Sequence, residues 1–189
     1  MAVMRLQLRV LFIGLVLAFL ARTAPTQAEP LRATPDDRAA VEACLKLVGE
    51  NAVKEAQGTS QNEAPGAAGR LAAAATDALT QRESCIGAVT ISCQQQPGGM
   101  STMGMVDCNS REWGVWDERL NRAYQDALKE APSKLARGLR DAQRAWLQWR
   151  EKRCKLPSDS EGGSIVGPLY TGCMLDATAR QALWLEHRE

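Results

Sequence analysis

Four carboxylates crowd one stretch of the chain, Asp107, Glu112, Asp117 and Glu118. Two carboxyl groups flanking a glycosidic bond are what sugar hydrolysis needs, one as general acid and the other as base or nucleophile. This set reads instead as acids on the surface of a helix. Nucleophilic chemistry has less to work with, because a serine or cysteine nucleophile needs a nearby base. The single histidine, His187, is third from the end of the sequence. Gly162-Gly163 has neither the Lys-Ser/Thr ending nor the preceding strand of a phosphate-binding loop. Zinc would want paired ligands, and the sequence has no C-x-x-C pair. The expectation is a protein without catalytic residues, cofactor or metal.

The cysteines carry more information. All six, at 44, 85, 93, 108, 154 and 173, follow an N-terminal segment in which Arg5 and Arg9 precede an apolar run from Val10 to Leu20, with small residues at Ala24, Thr26 and Ala28. That run is short of the roughly 20 residues a membrane span requires, and Thr26-Gln27-Ala28 fits small-x-small cleavage before Glu29. Residues 1–28 therefore read as a secretory signal peptide. The cleaved protein is expected to be periplasmic or secreted, with no membrane anchor. Disulfides are the default in such a compartment. Six cysteines allow 15 pairings, among which sequence alone does not choose. The preferred set joins Cys154 to Cys173, which end helices flanking one loop; Cys93 with Cys108 and Cys44 with Cys85 follow by elimination and by short or hairpin-like separation. A bond closing the 154–173 loop would stabilise by roughly 3 kcal/mol in the chain-entropy model.

The elements that position these residues are helical. Thr34 before Pro35, Asp36 and Asp37 is a helix start, continued by Val41, Cys44 or Leu45, Val48 and Ala52 at three-to-four spacing. Residues 57–69 form a small-residue connection without apolar period. Leu71 to Arg82 reads as an alanine-rich helix, whereas 85–96 is ambiguous, with β-branched Val89, Thr90 and Ile91. After the breaker Pro97-Gly98-Gly99, Ser101 or Thr102 can cap a long helix whose Met105, Cys108, Trp113, Trp116, Leu120, Ala123 or Tyr124, and Ala127 share a side. Pro132 ends it, and Ser133 can cap the next, with Leu135, Leu139, Ala142, Trp146, Trp149 and Arg153 inward. The short connection makes an antiparallel hairpin. Residues 157–164 read as a polar loop, followed by a helix from about Tyr170 to His187 with Cys173, Met174, Ala177, Leu183 and Trp184 inward.

The fold class expected is all-α, a small disulfide-stapled bundle of four to five helices around a central antiparallel helical hairpin. Its organisation is a signal peptide (1–28), an N-terminal helix and flexible connection (29–70), and a helical domain (71–189). Removing residues 1–28 leaves 20 basic residues against 22 acidic ones. Bases mixed with acids along helices, as in Arg150-Glu151-Lys152-Arg153, are solvated faces and argue against nucleic-acid binding. Trp113, Trp116, Trp146, Trp149 and Trp184 could stack on sugars, but their helical spacing points to packing between helices.

Within Trp116–Cys173 the motifs WDERLNRAYQDAL, LRDAQRAWLQWREKRC and GGSIVGPLYTGC resemble the DUF1311 family, the domain at the N-terminus of LprI-type lysozyme inhibitors. The match is carried by Asp117, Leu120, Asn121, Tyr124, Gln143, Arg144, Trp146, Leu147, Arg150, Cys154, Gly163, Ser164, Cys173, Thr178 and Arg180. Gln143 and Arg144 are expected to hydrogen-bond across the hairpin to Asp117 or Asn121, as a structural polar network. The resemblance implies a non-enzymatic protein whose partner is another protein, namely a lysozyme. Lysozymes of the common type are cationic, with two carboxylates in a cleft; an inhibitor needs a rigid protrusion and acids that attract the basic rim. The loop Asp159, Glu161, Gly162, Gly163 and Ser164 offers acids, compact backbone and, at Ser164, a donor for a catalytic carboxylate. An ordinary surface turn using its glycines only for positive φ would look the same. Two other readings stay open: an envelope interaction module binding through a helix-hairpin face, and a cell-wall sugar-binding or hydrolytic protein.

Overall fold

The computed structural model describes residues 33–58, 78–160 and 162–187. The signal peptide, the connection before 70, the start of the alanine-rich segment and Glu161 lie outside the described residues. Five helices are numbered here: α1 (Pro35–Gly58), α2 (Thr90–Gln94), α3 (Thr102–Glu130), α4 (Ser133–Ser160) and α5 (Val166–Glu186). Residues 78–83 are also helical, and no strand occurs among the described residues. The protein is all-α and stapled by three disulfides, Cys44–Cys85, Cys93–Cys108 and Cys154–Cys173.

Helix α1 starts where its capping chemistry dictates. The amide of Asp37 donates to Thr34 Oγ1 at 3.2 Å and the Thr34 amide donates back to Asp37 Oδ2 at 2.8 Å, a reciprocal cap closed by an aspartate. Its apolar face delivers Val41 and Leu45 to the core. Helix α3 is capped by Ser101, whose hydroxyl accepts from the Gly104 amide at 3.0 Å. It ends at Glu130, because Pro132 forces Ala131 into an extended conformation.

Helices α3 and α5 run parallel, with Asn109 meeting Thr171 near their beginnings and Arg119 paired with Glu186 further along. Helix α4 returns antiparallel to both, joined to α5 by Cys154–Cys173 and by the Gln181 amide donating to Gln143 Oε1 at 3.1 Å. The chief packing partner of α3 is α5, not its hairpin neighbour α4. The core is built on α3 and α5, from Val115, Trp116, Leu120 and Ala123 against Leu175, Ala179, Ala182, Leu183 and Leu185, completed by α1. Burying each large apolar side chain contributes about 1.5–3 kcal/mol.

Two inward faces differ from the sequence reading. On α4 the buried residues are Ala136, Gln143 and Cys154, with Leu139, Trp146 and Arg150 half-buried, while Leu135 and Trp149 are exposed and Ala142 and Arg153 also face solvent. This helix sits at the edge and covers the core with only one narrow stripe. On α5, Leu185 is buried and Trp184 is exposed. Helix α4 also runs through Pro157 to Ser160, so 157–160 are not loop. Two hydroxyls of its final turns bond back to the helix backbone: Ser158 Oγ donates to Lys155 O and Ser160 Oγ to Leu156 O. Helix α5 in turn starts at Val166, a turn before Tyr170.

Candidate functional site

Among the four acids that opened the chemistry, Glu112 is the one the sequence reading misplaces. It is not on the surface; it is fully buried. Its Oε1 accepts from the Gly87 amide at 2.6 Å and the Trp116 indole at 3.0 Å, and its Oε2 from the Val89 and Thr90 amides at 3.0 and 2.7 Å. Amides at the start of a helix have no partner within it, and Glu112 supplies one to the segment entering α2. A carboxylate so enclosed is out of reach of a polysaccharide. Asp117 and Glu118 are engaged too: Glu118 with Arg38, which holds its carboxyl below the ordinary range mainly through that hydrogen bond, and Asp117 with Asn121.

The motif residues shared with the resembled family converge on Arg150. Its guanidinium lies over the Trp146 ring at 4.9 Å and the Trp113 ring at 5.9 Å, donates to Thr178 Oγ1 at 2.8 Å, and stands 3.9 Å from Asp117 Oδ1. Thr178 passes the bond on to Met174 O at 2.6 Å. Burial pulls the Arg150 pKa down, opposed by the charges of Asp117 and Glu151, yet guanidinium stays protonated. Stacking between two indoles supplies part of what water gave up. Asp117, Trp146, Arg150 and Thr178 thus meet at the seam of α3, α4 and α5, below the Cys154–Cys173 bond.

The expected pairing of Gln143 and Arg144 with Asp117 or Asn121 does not form. Gln143 points to Gln181 of α5, Arg144 pairs with Asp141 in its own helix, and Asn121 bonds Asp117 within α3. The residue that reaches across the hairpin is Arg150, about two turns further on. Leu120 is buried and Tyr124 packs against the core, whereas Arg180 is exposed, bonded to Asp176 and Glu83. These positions build the fold.

The loop residues are placed differently. Gly162, Gly163 and Ser164 are exposed, and Asp159 rides exposed on the last turn of α4. Gly163 has φ +79°, a backbone state that side chains disfavour. Exposed apolar side chains surround the loop, Leu156 before it and Ile165 and Leu169 after it. Nearby, Tyr170 donates to Glu151 at 3.3 Å; burial and the Glu151 charge raise the phenol pKa.

Three disulfides and a helical core with polar side chains spent on one another define the class, a disulfide-stapled all-α module of the sort favoured by oxidising, extracytoplasmic compartments. Among the described residues no helix is long and apolar enough to cross a membrane. Residues 93–185, which run from the end of α2 through α5, match the family described as lysozyme inhibitor LprI, and this part of the chain belongs to that family. Over 101 residues, 46% of this chain and 73% of the relative, the sequence is 26% identical to an uncharacterised protein of Rhizobium meliloti (strain 1021). No solved structure matches the chain. The matched region leaves out α1 and the Cys44–Cys85 bond.

Proposed function

We propose that this protein is a non-enzymatic, periplasmic or secreted inhibitor of lysozyme, binding through the segment from Asp159, on the last turn of α4, to Ser164 in the loop that follows. The observation that carries the reading is the loop's construction: exposed Gly162, Gly163 and Ser164 between two helices that Cys154–Cys173 ties together about two turns below the loop. A tie of this kind limits the conformations the free loop explores, and binding then costs less ordering entropy. Asp159 and, by sequence, Glu161 supply charge for a basic rim; Ser164 supplies a hydroxyl donor. The family description supports the same partner. A second reading, an interaction module binding another envelope protein, is favoured by the exposed Leu135, Leu147 and Trp149 on the outer side of α4.

Lysis of a cell-wall suspension by c-type lysozyme, followed by turbidity, tests the first reading. Purified mature protein is expected to slow lysis in proportion to its concentration, and the double variant Cys154→Ala/Cys173→Ala to lose most of that effect while remaining helical by circular dichroism. Unchanged lysis at large molar excess of the intact protein removes inhibition.

A further inference from the structure

A second clamped turn shares the loop's end of the molecule. Because α3 and α5 are parallel, the segments leading into them emerge together, and the contact is direct: a Cβ on Gly167 would lie 3.0 Å from Val106 Cγ2, and Asn109 Nδ2 donates to Pro168 O at 3.2 Å. The segment before α3 is the turn Pro97–Ser101, held by Cys93–Cys108. It is packed hard onto α3, since a Cβ on Gly104 would come within 2.1 Å of Gly98 O. Yet Met100 is 67% and Met103 75% exposed, on a turn that is covalently tied down. Met103 stands one turn before Val106 on the same side of α3, and so toward the start of α5, where Ile165 and Leu169 are exposed. Residues 94–110 and 156–172 hold the exposed acids Asp107 and Asp159 and no Lys or Arg, and the bases that bound them are paired, Arg111 with Asp37 and Lys155 with Glu151.

We infer that the recognition surface is the whole of this end, both disulfide-clamped segments together, with Met100, Met103 and Ile165 as apolar contacts, Asp107 and Asp159 as the steering rim, and a cationic protein face as the occupant. Unbranched methionine adapts to an irregular partner surface, and acids around an apolar centre accelerate encounter with a basic protein. The inference rests on the lysozyme reading and adds to it a second segment, outside the loop, that must touch the partner.

The test measures inhibition of a purified c-type lysozyme by the full mature protein and by Met100→Lys, Met103→Lys and Lys129→Glu, the last at the far end of α3. Both methionine variants are expected to melt like the wild type, since their side chains are exposed. They are expected to inhibit about tenfold or more weakly, the loss typical of a contact that matters at an interface, and Lys129→Glu to inhibit as the wild type does. Added salt should weaken wild-type inhibition, as screening of a charged rim requires. If the wild type inhibits and both methionine variants inhibit equally well, the composite surface is wrong while the loop reading stands. If the wild type does not inhibit, the lysozyme reading fails and takes this one with it.

Discussion

Replacing Glu112 with glutamine changes one oxygen to an amide nitrogen and barely alters shape, which makes it a sharp test of how the segment before α2 is held. All four groups facing the carboxylate are donors, two on each oxygen: the Gly87 amide and Trp116 indole on one, the Val89 and Thr90 amides on the other. Whichever way the glutamine amide is turned, its NH2 faces two N–H donors, so two bonds are lost and two donors are left unsatisfied in the core. A hydrogen bond to a charged group contributes about 1.5–3 kcal/mol; allowing for relaxation, Glu112→Gln should cost about 3–4 kcal/mol. At about 2–4 °C per kcal/mol for a chain of this size, the melting temperature should fall by about 10 °C. Thermal unfolding by circular dichroism, with disulfides oxidised, reads the fall directly. Hydrogen exchange at Val89 and Thr90 should lose protection relative to α3. A variant that melts within about 2 °C of the wild type would mean that Glu112 only fills space and that the donors find other partners.

Two further outcomes test the ion pair at α1 and the stacked arginine. Burial works against the ionised form of Asp37, but its bonds to Arg111 at 2.5 and 3.1 Å and to Thr34 outweigh this and hold its pKa below the ordinary 3.8. A depressed carboxyl contributes stability above the unfolded pKa and loses it as pH falls through the folded one. Asp37→Asn should therefore cost about 1.5–3 kcal/mol at neutral pH, a difference in urea midpoint that shrinks below about pH 4; a constant difference across that range would refute the assignment. Arg150→Lys keeps the charge but gives up the planar stack on Trp113 and Trp146 and the directed bond to Thr178. It should lower stability by about 1–2 kcal/mol in denaturant titration, and an unchanged midpoint would show that a point charge suffices there.

The central helix was legible because one stripe does its packing: Trp116, Leu120, Ala123 and Ala127 recur at three- and four-residue intervals, two four-residue steps after Cys108, and all are buried. The cap at Thr34 and the stop at Pro132 are local chemistry and could be read locally. Helix α4 was not legible in the same way, because an edge helix needs only a narrow inward stripe and its Leu135, Leu147 and Trp149 lie on the outside. Apolar type alone could not separate the two faces. Gln143 and Arg150, polar by type, occupy the inward stripe at the spacing set by Ala136 and Cys154. Glu112 has the same explanation. A carboxylate in a helix reads as solvent-facing, but 112 falls four residues after Cys108 and four before Trp116, in register with the buried stripe. That register was the available signal; three of its four partners were hidden because they are backbone amides of a segment whose position no side chain announces.

The two cysteine pairs inside the family region perform the same act. Cys93–Cys108 and Cys154–Cys173, separated by 15 and 19 residues, each join the element before a connection to the helix after it. In the chain-entropy model closures of this length stabilise by roughly 3 kcal/mol each, and the parallel course of α3 and α5 puts both closures at one end. Cohesion elsewhere comes from other sources: the buried Glu112, the stacked Arg150, and the pairs by which Arg111, Glu118 and Arg119 hold α1. Cys44–Cys85 serves that second task, fastening α1 from outside the matched region. A domain needing only stability could distribute its bridges anywhere. Placing two of three beneath neighbouring exposed turns restricts what those turns do before a partner arrives, and restriction of that kind lowers the entropic cost of binding.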